Sequence, residues 1–273
     1  HTEHTVSVDS INAARGRVGA AFQAISGALF VAWPAVRPFS DSSVDPMVVA
    51  QTFASTAWLS AHLSAIIAFA LLPVGMLGLH EYLKESRVER RSYWSLLFTV
   101  IGNGLTLPFF GIELSALRDI SEAAILGTLQ LGALERSIRT GLGVYFFLLG
   151  LLLIAVAAVV CATVVWRRGT LLRSSGLLFG VGLALIIPQF PAPQPVRVGH
   201  ELLVGLGCVW IAGDDEANYR VVIAKERVPN DGASGLDYDF AGVAYLEVNL
   251  IQYAVILPFN AEISISATYQ LFE

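Results

Sequence analysis

Six apolar stretches, separated by loops that differ in their cation content, constrain this chain more than any other feature. They run from about Val18 to Ala35, Ala57 to Leu79, Trp94 to Leu114, Leu142 to Trp166, Ser175 to Phe190 and Glu201 to Ala212. A helix needs roughly 20 residues to cross the hydrocarbon core of a bilayer. The first four stretches are long enough, and the last two fall short. Lipid offers backbone groups no water to bond, so apolar segments of this kind must satisfy them internally, as helices. Composition agrees with that reading. Charged residues make up 14% of the chain, against about 25% in an average soluble domain.

Charge divides the chain. Residues 214–273 hold ten acids and three bases, a net of −7, which leaves +2 for residues 1–213. The expected organisation is an N-terminal tail (1–14), a six-helix transmembrane domain (15–213) and an acidic C-terminal segment (214–273). In that last segment Val221 to Val228 is rich in β-branched residues. Further on, Ile263, Ile265, Ala267, Tyr269 and Leu271 alternate with Ser264, Ser266, Thr268 and Gln270, the period of a half-buried strand. The expected fold class is therefore an all-α polytopic membrane protein, with about six transmembrane helices and a small β-rich C-terminal appendage. About sixty residues are marginal for an independent core, and a few strands leave open edges. Residues 219–273 are accordingly expected to form antiparallel strands completed by a protein partner.

Lys and Arg in the short loops set the threading. Arg15 and Arg17 precede the first stretch, Lys84, Arg87, Arg90 and Arg91 follow the second, and Arg167, Arg168 and Arg173 follow the fourth. The opposite loops are poorer in cations, with Arg37 beside Asp41 and Asp45, and later Arg197 alone. Both termini are thus expected on the cytoplasmic side. The first stretch is followed by further spans, so it is expected to stay in the chain and not to serve as a cleaved signal. The loop from Arg118 to Arg139 has mixed charge. Ile120, Ala124, Leu131, Leu134 and Ile138 recur there at roughly helical spacing, which fits an amphipathic helix on the outer interface or an excursion toward the core.

Pro73, Pro108 and Pro188 predict kinks, and the link from Pro191 to Pro195 reads as an extended turn. Glycines recur in the spans at spacings that suit close helix packing, and the polar Asn103 is expected to hydrogen-bond across helices. Gly180 and Gly182 lie within a span and form no phosphate loop. Cys161 and Cys208 lack CxxC spacing and read as buried small hydrophobes.

The threading brings His62, Glu113, Gln189, His200 and Glu201 to similar depth on the outer side. With their faces turned inward, His62, His200, Glu113 and Glu201 can bind a divalent metal, hold a haem through the two histidines, or relay protons. The alternative is interfacial, because groups at helix ends reach water or cap a helix at little cost. His80, beside Glu81 and Lys84, reads as an interfacial side chain of the inner surface. No catalytic constellation is visible. The spans hold no Lys, Arg or Asp at mid-depth, and residues 1–115 show no inverted repeat with 116–213, which argues against a transporter.

The run from Ala57 to Leu83 opens with Trp58, Ala61 and His62 and closes on Leu77, Leu79 and His80 before a basic loop. Trp166-Arg167-Arg168-Gly169 then precedes a Gly/Leu-rich span. Over roughly residues 15–212 this resembles a group of small prokaryotic multi-pass membrane proteins of unknown function. The resemblance implies a bacterial or archaeal inner-membrane protein, carries over His62 as a characteristic position, and leaves the acidic tail outside.

The leading functional expectation is a non-enzymatic structural or accessory subunit of a membrane assembly, in contact with lipid and a protein partner and not with nucleic acid. A redox or metal/haem-binding protein using the outer histidines comes second, and a small-molecule transporter third. Reporter fusions test the threading: those after Arg91 and Gly169 should read cytoplasmic, and those after Asp45 and Arg197 external. An external C-terminus would require an odd number of spans.

Overall fold

The computed structural model describes residues 8–84, 86–168 and 173–227, and every regular element among them is helical. These are α1 (Val8–Val36), a 3-10 turn (Ser40–Ser42), α2 (Pro46–Ala54), α3 (Thr56–Leu83), α4 (Glu89–Ile125), α5 (Leu131–Thr140), α6 (Leu142–Arg168), α7 (Arg173–Ala184) and α8 (Gln194–Arg227). Two of the starts are written in the sequence. Asp45 caps α2 by accepting the Met47 amide at 2.9 Å, with Pro46 in the first turn, where a missing N–H costs nothing. Ser55 caps α3 by accepting the Trp58 amide at 3.1 Å, satisfying a donor that has no partner within the helix.

Among the described residues, five segments are long and apolar enough to cross a membrane: Arg15–Val36, Thr56–Leu83, Glu89–Ile125, Leu131–Arg168 and Gln194–Gly213. The stretch from Ser175 to Phe190 departs from expectation. Helix α7 stops at Ala184, and residues 185–190 continue as turns in which Ile186 and Phe190 donate to carbonyls three residues back. Pro188 and Pro191 have no amide proton with which to extend a helix. The 12 helical residues rise about 18 Å, short of the roughly 30 Å hydrocarbon core. The stretch from Glu201 to Ala212 is the interior of a longer helix. It begins at Gln194, with Pro195 accommodated in its first turn, so the proline link ends earlier than expected.

The C-terminal expectation is corrected where it can be compared. Residues 219–227, expected as strand, belong to α8. A helix already formed extends without a new nucleation cost, which outweighs the modest penalty of Val221, Val222 and Ile223 in a helix. The rest of the expected β-rich appendage, residues 228–273, lies outside the described residues.

The described helices up to Asp215 belong to one compact unit. Within it α1, α3, α4, α6, α7 and α8 close a ring in which chain neighbours are also neighbours in space. Five of the six seams close on glycine. A Cβ on Gly19 of α1 would sit 2.5 Å from the Cα of Gly78 in α3, and one on Gly102 of α4 would sit 2.7 Å from the Gly150 carbonyl of α6. Gly180 of α7 lies against Ala162 of α6, Gly207 of α8 against Phe179 of α7, and Gly205 of α8 against Gly27 of α1. The α3–α4 seam uses hydrogen bonds instead. Trp58 Nε1 donates to the Glu113 carbonyl at 3.0 Å near one end, and His80 Nδ1 lies 2.8 Å from Ser92 Oγ near the other.

Inside the ring, Phe30 and Trp33 of α1, Phe69 of α3, Phe110 of α4, Phe147 of α6 and Phe190 form a continuous aromatic cluster, with centroid separations from 4.9 to 6.2 Å. Cross-helix hydrogen bonds come from serines: Ser26 donates to the Ala68 carbonyl at 2.8 Å, and Ser95 to the Ala157 carbonyl at 2.6 Å. Asn103, expected in that role, donates instead to Thr99 of its own helix at 3.0 Å. His80, expected as an interfacial side chain, is buried against α4.

Glycine contacts of this kind predict a contrast between substitutions. Gly78→Ala should lower stability by about 1–3 kcal/mol, the usual cost of overpacking. Gly104→Ala adds a Cβ that meets nothing within 4 Å, and should be neutral or stabilising by up to about 1 kcal/mol. Unfolding midpoints in detergent distinguish the two.

Candidate functional site

At the ring end opposite the basic loops, short helices form a cap. Val49, Ala50 and Phe53 of α2, Trp58 of α3, Leu117 of α4 and Leu131 of α5 make a second apolar core, joined by Ile120, Ala124 and Ile138. The amphipathic pattern seen in the sequence thus divides between two elements: Ile120 and Ala124 end α4, while Leu131 and Ile138 belong to α5. The apolar residues Leu131 and Ile138 of α5 settle on protein. Trp58 sits between the two cores, with Phe53 edge-on at 4.7 Å and the His62 ring at 4.1 Å.

An ion-pair network lies against this cap. Arg37, just past α1, holds Asp41 at 2.6 Å. Arg139 of α5 reaches Asp41 at 3.1 Å, Glu113 of α4 at 3.3 Å and Glu135 at 3.3 Å. The second Glu113 oxygen faces His62 Nε2 at 3.3 Å, and His62 Nδ1 lies 2.9 Å from the Trp58 carbonyl. A carbonyl only accepts, so the Nδ1 contact is one in which the imidazole donates. The guanidinium of Arg37 also lies over the rings of Phe39 and Trp58, at 4.9 and 5.0 Å. Burial pushes the Arg37 pKa below its ordinary value, and Asp41 and then Glu113 oppose that shift.

A second cluster stands where α7 gives way to α8. Gln189 Nε2 donates to Glu201 Oε1 in a short hydrogen bond, and His200 Nδ1 lies 3.5 Å from the same oxygen. His200 Nε2 donates to the Gly182 carbonyl at 2.7 Å, which fixes the proton on that nitrogen. Arg197, one turn before Glu201, is packed among aromatic faces: Phe39 at 5.1 Å, Phe190 at 5.5 Å and Trp33 at 5.8 Å. Phe39 is shared by Arg37 and Arg197, so one ring connects the two clusters.

The residues singled out from sequence therefore occur as two pairs, His62 with Glu113 and His200 with Glu201, and Gln189 joins the second. Among the described residues no group of three or more His, Cys, Asp or Glu stands close enough to hold a metal ion. Both ring nitrogens of His62 face protein acceptors, as does Nε2 of His200. Ser92 Oγ, 2.8 Å from His80 Nδ1, also donates to the Glu89 carbonyl at 2.8 Å. Sequence reasoning missed Arg37, Asp41, Arg139 and Arg197 as site residues, having weighed them only as loop charges. The available signal was the neighbouring aromatic residues, Trp33, Phe39 and Phe53. No protein-family model, curated protein or solved structure matches the chain.

The network makes a stability prediction. Glu113→Ala strips Arg139 and His62 of a shared, largely buried partner and should cost about 3 kcal/mol. Arg118→Ala breaks only the exposed 2.9 Å pair with Glu122 and should cost under about 1 kcal/mol. Chemical unfolding of the two variants in the same detergent gives the comparison.

Proposed function

We propose that this chain is a non-enzymatic integral membrane protein that serves as a structural or accessory subunit of a membrane assembly. The observation carrying this reading is how the charged groups at the capped end are used. Arg139 alone binds three carboxylates, Asp41, Glu113 and Glu135, and Arg37 and His62 take up the remaining valences. Such a network fixes the relative positions of α1, α3, α4 and α5 and leaves its groups engaged with one another. The aromatic cluster fills the ring behind it. Together these features suit a rigid membrane-embedded platform better than a reaction centre.

One contact surface on such a platform is the lipid-facing side of α4, where Gly104 and Gly111 have open space around them. The acidic segment beyond residue 213 carries a net charge of −7, which favours a basic partner surface. The distribution of Lys and Arg favours both termini in the cytoplasm, and the resemblance to small prokaryotic multi-pass proteins favours a prokaryotic inner membrane for the platform.

Gentle solubilisation of the native membrane followed by native electrophoresis tests the reading. The protein should migrate in a complex well above its own 29.3 kDa, and truncation after Gly213 should leave the bundle inserted while releasing the partner. Migration as a bare monomer in every mild detergent would sink the subunit reading. Full retention of partners by the truncated chain would show that the tail is not the docking element.

A further inference from the structure

The corner where α7 meets α8 gathers buried polar atoms that no protein group satisfies. Glu201 is 0% exposed and its Oε2 has no hydrogen-bond partner, and neither has Oε1 of Gln189, Nε of Arg197 or Nε1 of Trp33. These four atoms share one neighbourhood. Gln189 is bonded to Glu201, Arg197 precedes it by one turn, and Arg197 lies 5.8 Å from the Trp33 ring. An isolated polar group in such a place costs several kcal/mol in lipid-like surroundings, and four of them gathered at one corner favour a shared guest.

Their chemistry is complementary to one small molecule. Trp33 Nε1 and Arg197 Nε are donors. Gln189 Oε1 and Glu201 Oε2 are acceptors. Buried water typically makes about three hydrogen bonds, giving and accepting, to groups of this kind. We propose that this corner is an internal water site, holding water that accepts from Trp33 and Arg197 and donates to Gln189 and Glu201. It joins α1, the α7–α8 turn and α8 at the seam that closes the ring. The proposal goes beyond the platform role and does not depend on any partner chain.

The same protein supplies a matched dry control. Trp58 is as buried as Trp33, but its indole N–H is already given to the Glu113 carbonyl. Millisecond X-ray exposure of the full-length protein in detergent splits water into hydroxyl radicals, and these oxidise the side chains that touch bound water. Peptide mapping should then find Trp33 oxidised at a rate near that of the exposed Trp166, with Trp58 silent. Trp33 as silent as Trp58 would overturn the proposal. Replacing Glu201 by Leu removes two acceptor oxygens and should bring Trp33 oxidation down to the level of Trp58, whereas Glu201→Gln keeps an acceptor and should preserve it. Undiminished Trp33 oxidation in a folded Glu201→Leu protein would also count against the site. Should that variant fail to fold, the wild-type contrast between Trp33 and Trp58 still decides.

Discussion

Lipid tails are as apolar as leucine, so helices inside a membrane gain nothing by hiding hydrophobic surface from their surroundings. What holds them together is van der Waals contact at short range, and that requires backbones to touch. The architecture described above follows from this constraint. Gly19 on Gly78, Gly102 on Gly150 and Gly205 on Gly27 bring backbones within reach of one another at three seams. Gly180 and Gly207 do the same against Ala162 and Phe179. Once the backbones are close, Ser26 and Ser95 are near enough to reach carbonyls of the adjacent helix, and the large rings are pushed inward, where they meet edge to face.

The polar end follows a different logic. Near a helix terminus the backbone no longer satisfies itself, and charged side chains can approach water. Here the chain folds two short helices over that end and so encloses the charges it would otherwise expose. Enclosure is tolerable because every carboxylate of the Arg37–Asp41–Arg139–Glu113 set has a cation within 3.3 Å, and because the guanidinium groups of Arg37 and Arg197 have ring faces to lie on. In the second cluster Glu201 Oε1 accepts from Gln189 while Oε2 has no protein partner, and this separates a closed ionic lock from the proposed water site.

Much of the framework was legible from hydropathy alone, since long apolar runs flanked by cations have few alternatives in a bilayer. Alternate threading put His62, Glu113, His200 and Glu201 at one depth but did not tell which of them would pair. Other features were hidden for physical reasons. Arg139 looks like a loop cation until α5 folds back on Phe53, a tertiary contact that local pattern does not encode. The five-residue link from Pro191 to Pro195 looks like one turn, yet proline is at home in the first turn of α8 and unwelcome at the end of α7. Val221 to Ile223 look like strand, but they continue a helix that was already running. Asn103 had a nearer acceptor on its own helix than across the seam.

Helix α4 is 37 residues long, about 55 Å at the usual rise, whereas a bilayer with its headgroups measures about 40–45 Å. The surplus makes α4 a built-in depth gauge. With Arg90 and Arg91 held at one headgroup plane, Glu113 lies some 35 Å farther along the helix, close to the opposite plane, and the last three turns stand clear of the hydrocarbon. The ionic lock therefore straddles the zone where the dielectric constant climbs from that of oil to that of water. A thicker membrane would draw the lock toward oil, and a thinner one would leave it in brine, so bilayer thickness itself adjusts how strongly the cap is fastened.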